Sequence, residues 1–378
     1  MRPALRARLS MLAIAAALPI GGCSDLGGGG SGAAATVAKA SGRPAGELTI
    51  SQWPFYVDRD TIPQFSDKTG VEVNYIEDVN DNTEIFSKLQ PDLQNGSSAG
   101  RSIVVVSDWM AKKMYDLGYL HKVDQSALKT VDANLLATLR HPSFDPERQY
   151  SVPWQSGMTG LIVNRDEADV TSIADIFDPA YEGKVTVLSE LRDTVPLVIK
   201  SMGVEIDDAT GADWLAAIEK LRAAVESGQI RAFTGNDYTD DLARGDATVA
   251  IGWSGDAVQL QADNPSIEFR MPEEGCILWS DNMVIPIGAP NPTAAYAFMN
   301  YVYEPEHQAQ IAAYNNYVTP VEGVAQVFAR GADATLADDP LIFPSKRFTA
   351  NCDAQPNPPA DAATEIEKAF GQLITGGG

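Results

Sequence analysis

Between residues 47 and 117 the chain alternates short apolar runs with amphipathic ones, and this alternation restricts the fold more than any other feature. Residues 47–52 (ELTISQ) alternate as a strand does, 60–68 have helical spacing and stop at Gly70, and 71–75 form a second strand. Residues 83–93 put Ile85, Phe86 and Leu89 on one helical face, and 102–106 read as a third, apolar strand. Ser107 then caps a helix that runs to Leu117 and ends at Gly118. Repeated strand–helix units imply a parallel sheet covered on both faces. Every strand's C-terminal end then points at one crevice, which is expected to gather Trp53, Tyr56, Ser107 and Trp109.

A second series follows. Residues 150–154 (YSVPW) lead into an apolar segment at 159–164, read as a crossover into a second lobe. Residues 184–188 form a strand ending in SELRD, which sets Glu190 and Asp193 three apart on one face of the next turn. Residues 209–227 are an amphipathic helix. The run 247–251 reads as a buried strand that ends in Gly252-Trp253-Ser254-Gly255-Asp256 before a new helix starts. Such a corner lets a rigid strand fix what the turn presents to a ligand. Segments 267–271 and 277–287 follow, the latter containing Trp279 and Asp281, and Tyr317 lies in NNYVTP after two helices at 291–302 and 304–314. The last helix spans about 362–373.

A chain of 378 residues suits two lobes, and 44% apolar content supplies their cores. A net charge of −23 excludes a phosphate-binding surface, so no nucleic-acid partner is expected. Residues 1–22 read as a signal peptide: Arg2, Arg6 and Arg8 precede an apolar stretch too short to span a membrane. Ile20-Gly21-Gly22-Cys23 resembles a bacterial lipobox, which implies cleavage before Cys23, lipid on its thiol and an extracytoplasmic protein held to the membrane. Residues 23–46 then read as a flexible Gly/Ala/Ser tether. Cys276 and Cys352 remain. In an exported chain an even remainder suggests a disulfide, with two separately buried thiols as the alternative. There is neither a CxxC nor a Cys/His cluster, so neither metal nor cofactor is expected.

Aromatic and acidic residues recur at strand ends: Trp53/Tyr56, Glu190/Asp193, Trp253/Asp256 and Trp279/Asp281, with Trp109 and Tyr317 outside these pairs. Any one aromatic is ordinary core. Four such clusters form a box with Trp and Tyr walls and carboxylate ends, suited to a flexible molecule that is apolar in the middle and cationic at its ends. Each buried methylene would contribute about 0.8 kcal/mol, a cation over a Trp face about 0.5–2 kcal/mol, and a charge-assisted hydrogen bond about 1.5–3 kcal/mol. Polyamines have this chemistry.

Taken in order, QWPFY, VVVSDWMAKKM, YSVPWQSGMTGLIVN, SIADIFDPAYEGKVTVL, GDATVAIGWSGDA, ILWSDNMVIP and NNYVTP resemble the spermidine/putrescine-binding proteins of bacterial ABC importers, from about residue 46 to the C-terminus. The resemblance implies a two-lobe, type II periplasmic-binding-protein-like α/β fold, each lobe a mostly parallel sheet flanked by helices, with the ligand cleft between them. Lobe 1 would comprise 47–155 and 280–325, and lobe 2 would comprise 156–279 and 326–375. It further implies Trp53 and Tyr56 as the first aromatic wall, Ser107 as a hydroxyl at a helix start and Trp109 where an aromatic is usual. Glu190 and Asp193 match acids of the spermidine-type site and Asp256 one of the putrescine-type site. Trp253 matches the aromatic stacked on the alkyl chain, Trp279 and Asp281 an aromatic and an amine-binding acid, and Tyr317 a polar aromatic near the mouth. Phe55 departs from the pattern where an acid is common, and Pro54 where Ser or Thr is common, which leaves diamine against triamine open.

An exported glycosidase would also use paired carboxylates and Trp platforms. No GxSxG, HExxH or P-loop occurs, and His121, His141 and His307 are scattered without nucleophile partners. The expectation is therefore a monomeric, non-enzymatic polyamine receptor that serves a permease with a cytoplasmic ATPase. A same-fold receptor for a sugar or a ferric complex is the alternative.

Overall fold

The computed structural model describes residues 36–376; the expected signal peptide and Cys23 lie outside them. Twelve strands occur among these residues: β1 (Val37–Ala38), β2 (Gly46–Gln52), β3 (Val71–Glu77), β4 (Ile103–Ser107), β5 (Lys122–Val123), β6 (Ser151–Asn164), β7 (Val185–Leu188), β8 (Ile230–Thr234), β9 (Val249–Trp253), β10 (Ile267–Arg270), β11 (Ile277–Val284) and β12 (Asp353–Ala354). Ten of them make one sheet, in which β3-β2-β4-β11-β6-β9-β7-β8 run side by side while β10 pairs with β6 and β12 with β11.

Two parallel blocks are visible in that order. β3, β2 and β4 are mutually parallel, as are β9, β7 and β8. Between the blocks, β11 runs antiparallel to β4 and to β6, and β6 antiparallel to β9, so both halves of the fold hang on two shared strands. The β6–β11 register shifts between Ser280 and Asn282, which sets a bulge where the two blocks meet. The sequence marked only 159–164 of β6, because Pro153 and Gly157 interrupt its apolar pattern. Gly157 is required there. A Cβ at that position would come within 2.4 Å of Trp279 Cζ2, its partner across the ladder.

Each block carries its own apolar layers. Leu48, Ile50 and 103–106 are buried beneath the helix Asn82–Gln94, which contributes Ile85, Phe86, Leu89 and Leu93. In the other block Val185, Val187 and 249–251 are buried with Trp214, Ile218 and Leu221 of the helix Gly211–Glu226. Several elements have no counterpart in the sequence reading, three of them close to the site. β8 is masked by Arg231 at its centre, Leu191–Ser201 is a full helix despite Pro196, and Tyr238–Arg244 is short. The expected boundary at 325/326 falls inside the helix Val324–Arg330, a single unit that adjoins Pro305–Asn315 with Gly323 beside Pro305.

The tether expected over 23–46 is not free along its whole length. β1 pairs in parallel with β5, Tyr296 donates its hydroxyl to the Ala38 carbonyl at 2.7 Å, and Lys39 meets Asp124 at 3.5 Å. Cys276 and Cys352 are disulfide-bonded across a separation of 76 residues.

Candidate ligand-binding site

Where the two blocks face each other, a cavity is lined by thirteen residues, among them Trp53, Tyr56, Ser107, Glu190, Asp193, Trp253, Asp256, Trp279, Asp281 and Tyr317. Ten of the eleven residues expected from the sequence are thus brought together. They arrive from the ends of β2, β4, β7 and β9, from the β11 bulge, and from the segment after the helix Pro305–Asn315.

The eleventh, Trp109, is not among them. It faces an outer groove, where the Arg192 guanidinium stacks on its ring at 4.0 Å from the centroid. The cause is helical geometry: Ser107 ends the strand facing the cavity, and two residues into the helix Asp108–Asp116 the chain has turned by about 200°. Ser107 holds the N-cap position of this helix, yet its hydroxyl makes no cap bond and goes to Asp281 instead. Phe55 does not line the cavity; it is 45% exposed, with a left-handed φ of 59°.

The walls are aromatic. Trp53 packs edge-on against Trp253 at 5.5 Å, Trp253 against Trp279 at 6.4 Å, Trp279 against Tyr317 at 5.3 Å and Tyr317 against Tyr56 at 5.1 Å. Edge-to-face contacts of this kind fix ring orientation beyond what area burial alone would.

Four carboxyl groups face the space between these rings, and each is at most 3% exposed. Asp281 accepts from Tyr56 at 2.9 Å and Ser107 at 2.8 Å. Asp193 accepts from Thr159 at 2.5 Å and Gln355 at 3.0 Å. Asp256 accepts from Tyr238 at 2.6 Å, Tyr317 at 2.7 Å and Asn236 at 2.8 Å. Glu190 accepts both the main-chain N–H and the side-chain amide of Asn82, at 2.7 and 2.8 Å. None of the four forms an ion pair within the described residues.

Burial therefore dominates their titration. It pushes Asp281 and Asp193 up to about 7 and Asp256 up to about 6, despite the donors that pull each of them down. Glu190 is raised well above its ordinary value, first by burial and then by Asp81 and Asp193. A dry group of acids without a cation is costly as it stands, and a bound cation removes that cost.

Asn82, Asn236 and Gln355 also line the cavity and were not found in the sequence. No aromatic–acid pair marks them. Asn82 opens a helix just behind its Asp81 cap, while Asn236 sits in a turn and Gln355 directly after β12, positions that only the sheet order reveals.

The rims of the two blocks touch over this cavity. Ser189 donates to Asp81 at 2.6 Å, the Asn236 N–H to Asn80 at 2.9 Å, and the Asn80 amide to Asp237 at 3.1 Å. Fold and site together define a two-lobed receptor closed around a small internal chamber.

The chain belongs to the bacterial extracellular solute-binding protein family, whose sequence profile matches residues 60–344. It is 27% identical over 334 residues to the spermidine/putrescine-binding periplasmic protein of Escherichia coli strain K12, covering 87% of this chain and 92% of that one. It is 28% identical over 351 residues to the putrescine-binding periplasmic protein SpuD of Pseudomonas aeruginosa strain UCBPP-PA14, with the same coverage. Among solved structures, the substrate-binding protein PotD of a Streptococcus pneumoniae spermidine/putrescine ABC transporter superposes with a TM-score of 0.68 at 23% identity, over 88% of this chain and 99% of that one. The last likeness establishes the two-lobe fold.

Proposed function

We propose that this protein captures a polyamine of the putrescine–spermidine class and delivers it to the permease of an ABC importer. The observation that carries the reading is the set of four buried carboxyls, Glu190, Asp193, Asp256 and Asp281, which share one aromatic chamber with no protein cation inside it. A ligand with two or three ammonium groups supplies the missing charge, and its methylenes lie against Trp53, Trp253 and Trp279. The names of the Escherichia coli and Pseudomonas aeruginosa relatives agree with this chemistry.

In this reading the blocks are lobes that part to admit the ligand and close to desolvate its charges. Lobe 1 carries 47–155 and 280 onward through the helix Val324–Arg330, and lobe 2 carries the rest. Lipid at Cys23 holds the receptor outside the cytoplasmic membrane, where it works as a monomer. No helix among the described residues is long and apolar enough to cross a membrane. No reaction is catalysed; the acids serve as counter-charges. A ferric ligand is disfavoured because no His, Cys, Asp or Glu trio among the described residues is grouped to hold a metal.

Isothermal titration of the purified protein with putrescine, spermidine and spermine tests this, with maltose and ferric citrate as controls. Saturable one-to-one binding of a polyamine is expected. Silence toward all three on folded, ligand-free protein would remove the polyamine assignment and leave the fold standing.

A further inference from the structure

We infer that Arg192 is a specificity-determining residue: a cationic stop that prevents an additional ammonium group from extending past Asp193. The inference rests on the polyamine reading above.

The chamber is thin-walled at its Asp193 end. Gln355, which donates to Asp193 at 3.0 Å, and Trp279 line both the chamber and the outer groove. Arg192 lines that groove too, 8% exposed and held on three sides. Its Nε donates to Asn357 at 3.1 Å, its Nη2 to Glu367 at 3.2 Å, and its plane lies on Trp109 at 4.0 Å. Two hydrogen bonds and one stacking contact hold the guanidinium in place.

It also remains close enough to act on its neighbours in sequence, since its field favours ionised Asp193. A ligand ammonium emerging past Gln355 would enter the groove that Arg192 lines and meet a like charge beside its Glu367 partner. Trp109 follows β4 and Arg192 follows β7, so the stop is assembled only when the two blocks are together.

The opposite end differs in composition. Asp256 borders a second groove, whose other charged members are the acids Asp240 and Asp263. The groove on the Arg192 side holds Lys112 and Lys113 beside Asp108, Asp116 and Glu367, so only the Asp193 end has a buried guanidinium next to it.

The test compares putrescine, spermidine and spermine on the unmodified protein and on Arg192→Gln and Arg192→Lys. Arg192→Gln is expected to raise affinity for the longer amines relative to putrescine by about tenfold or more, and Arg192→Lys to hold that ratio within about threefold of the unmodified protein. A ratio unchanged within twofold in folded Arg192→Gln overturns the stop, because a purely structural role would weaken all three ligands alike. An equal relaxation in Arg192→Lys overturns the charge argument. If Arg192→Gln fails to fold, Trp109→Ala, which frees the guanidinium from its platform, should relax the same ratio, and no change there also overturns the stop. Absence of any polyamine binding to the unmodified protein removes the functional reading, whereas binding without a change of ratio removes only this inference.

Discussion

Asn82 and Glu190 meet across the cleft twice: one Glu190 oxygen accepts both the main-chain N–H and the side-chain amide of Asn82, at 2.7 and 2.8 Å. The same Asn82 amide reaches Ser107 Oγ at 3.0 Å, and Ser107 donates to Asp281. A continuous line of hydrogen bonds thus joins an acid of one block to an acid held by the other.

Closure should be separable from folding at Gly235. A Cβ there would stand 2.2 Å from the Asn80 carbonyl oxygen on the facing rim. Gly235→Ala is expected to leave the melting temperature of the ligand-free protein within a few degrees while weakening polyamine binding at least tenfold. Small-angle scattering should find its radius of gyration unchanged on adding ligand. A variant that compacts normally would clear this contact of any role in closing.

Asp281, which accepts from both Tyr56 and Ser107, should depend on its charge to hold the ligand. Asp281→Asn is expected to weaken polyamine binding by about 1.5–3 kcal/mol and to raise the stability of the empty protein. Titration calorimetry and thermal melts on the same preparation check both. An unchanged affinity would take Asp281 out of the site.

Binding should strengthen with pH. A carboxyl in the unfolded chain titrates near about 3.9, whereas folded Asp281 and Asp193 lie at about 7. Between those values the empty folded protein holds protons that the unfolded chain has released, so its stability is full at the acid end and declines as pH rises through about 7. A polycation reverses this by favouring the ionised form. The ligand-free melting temperature should therefore fall from about pH 5 to about pH 8, polyamine affinity should rise over the same interval, and binding near neutrality should release protons. An affinity flat over that range would contradict this account.

Trp253 touches both Trp53 and Trp279 and is 7% exposed. Trp253→Ala is expected to cost about 2 kcal/mol or more of binding through lost stacking and methylene contact. If circular dichroism finds the variant unfolded, the ring is core rather than wall.

The sequence was informative where chemistry and geometry coincide. Trp253 and Asp256 stand at a strand end by simple periodicity, as do Glu190 and Asp193, whereas Trp279 and Asp281 were expected at a strand end and lie inside β11 at its bulge. It failed at Trp109, because type and proximity to a strand end say nothing of the rotation that one helical turn introduces. It missed Gln355, which enters only because β12 pairs with β11, a contact between residues about 75 positions apart. The continuous sheet was likewise hidden, since an antiparallel pair shared by two parallel blocks leaves no local signature in β6 or β11.

The pairing of Val37–Ala38 with Lys122–Val123 fixes where the leash ends. With the lipid at Cys23 as proposed, thirteen peptide steps separate it from Thr36, a reach of at most about 45 Å. The leash is fastened to the jaw that carries Tyr296, because that hydroxyl grips Ala38. The stretch before Thr36 therefore departs from that jaw, at the edge where β1 meets β5.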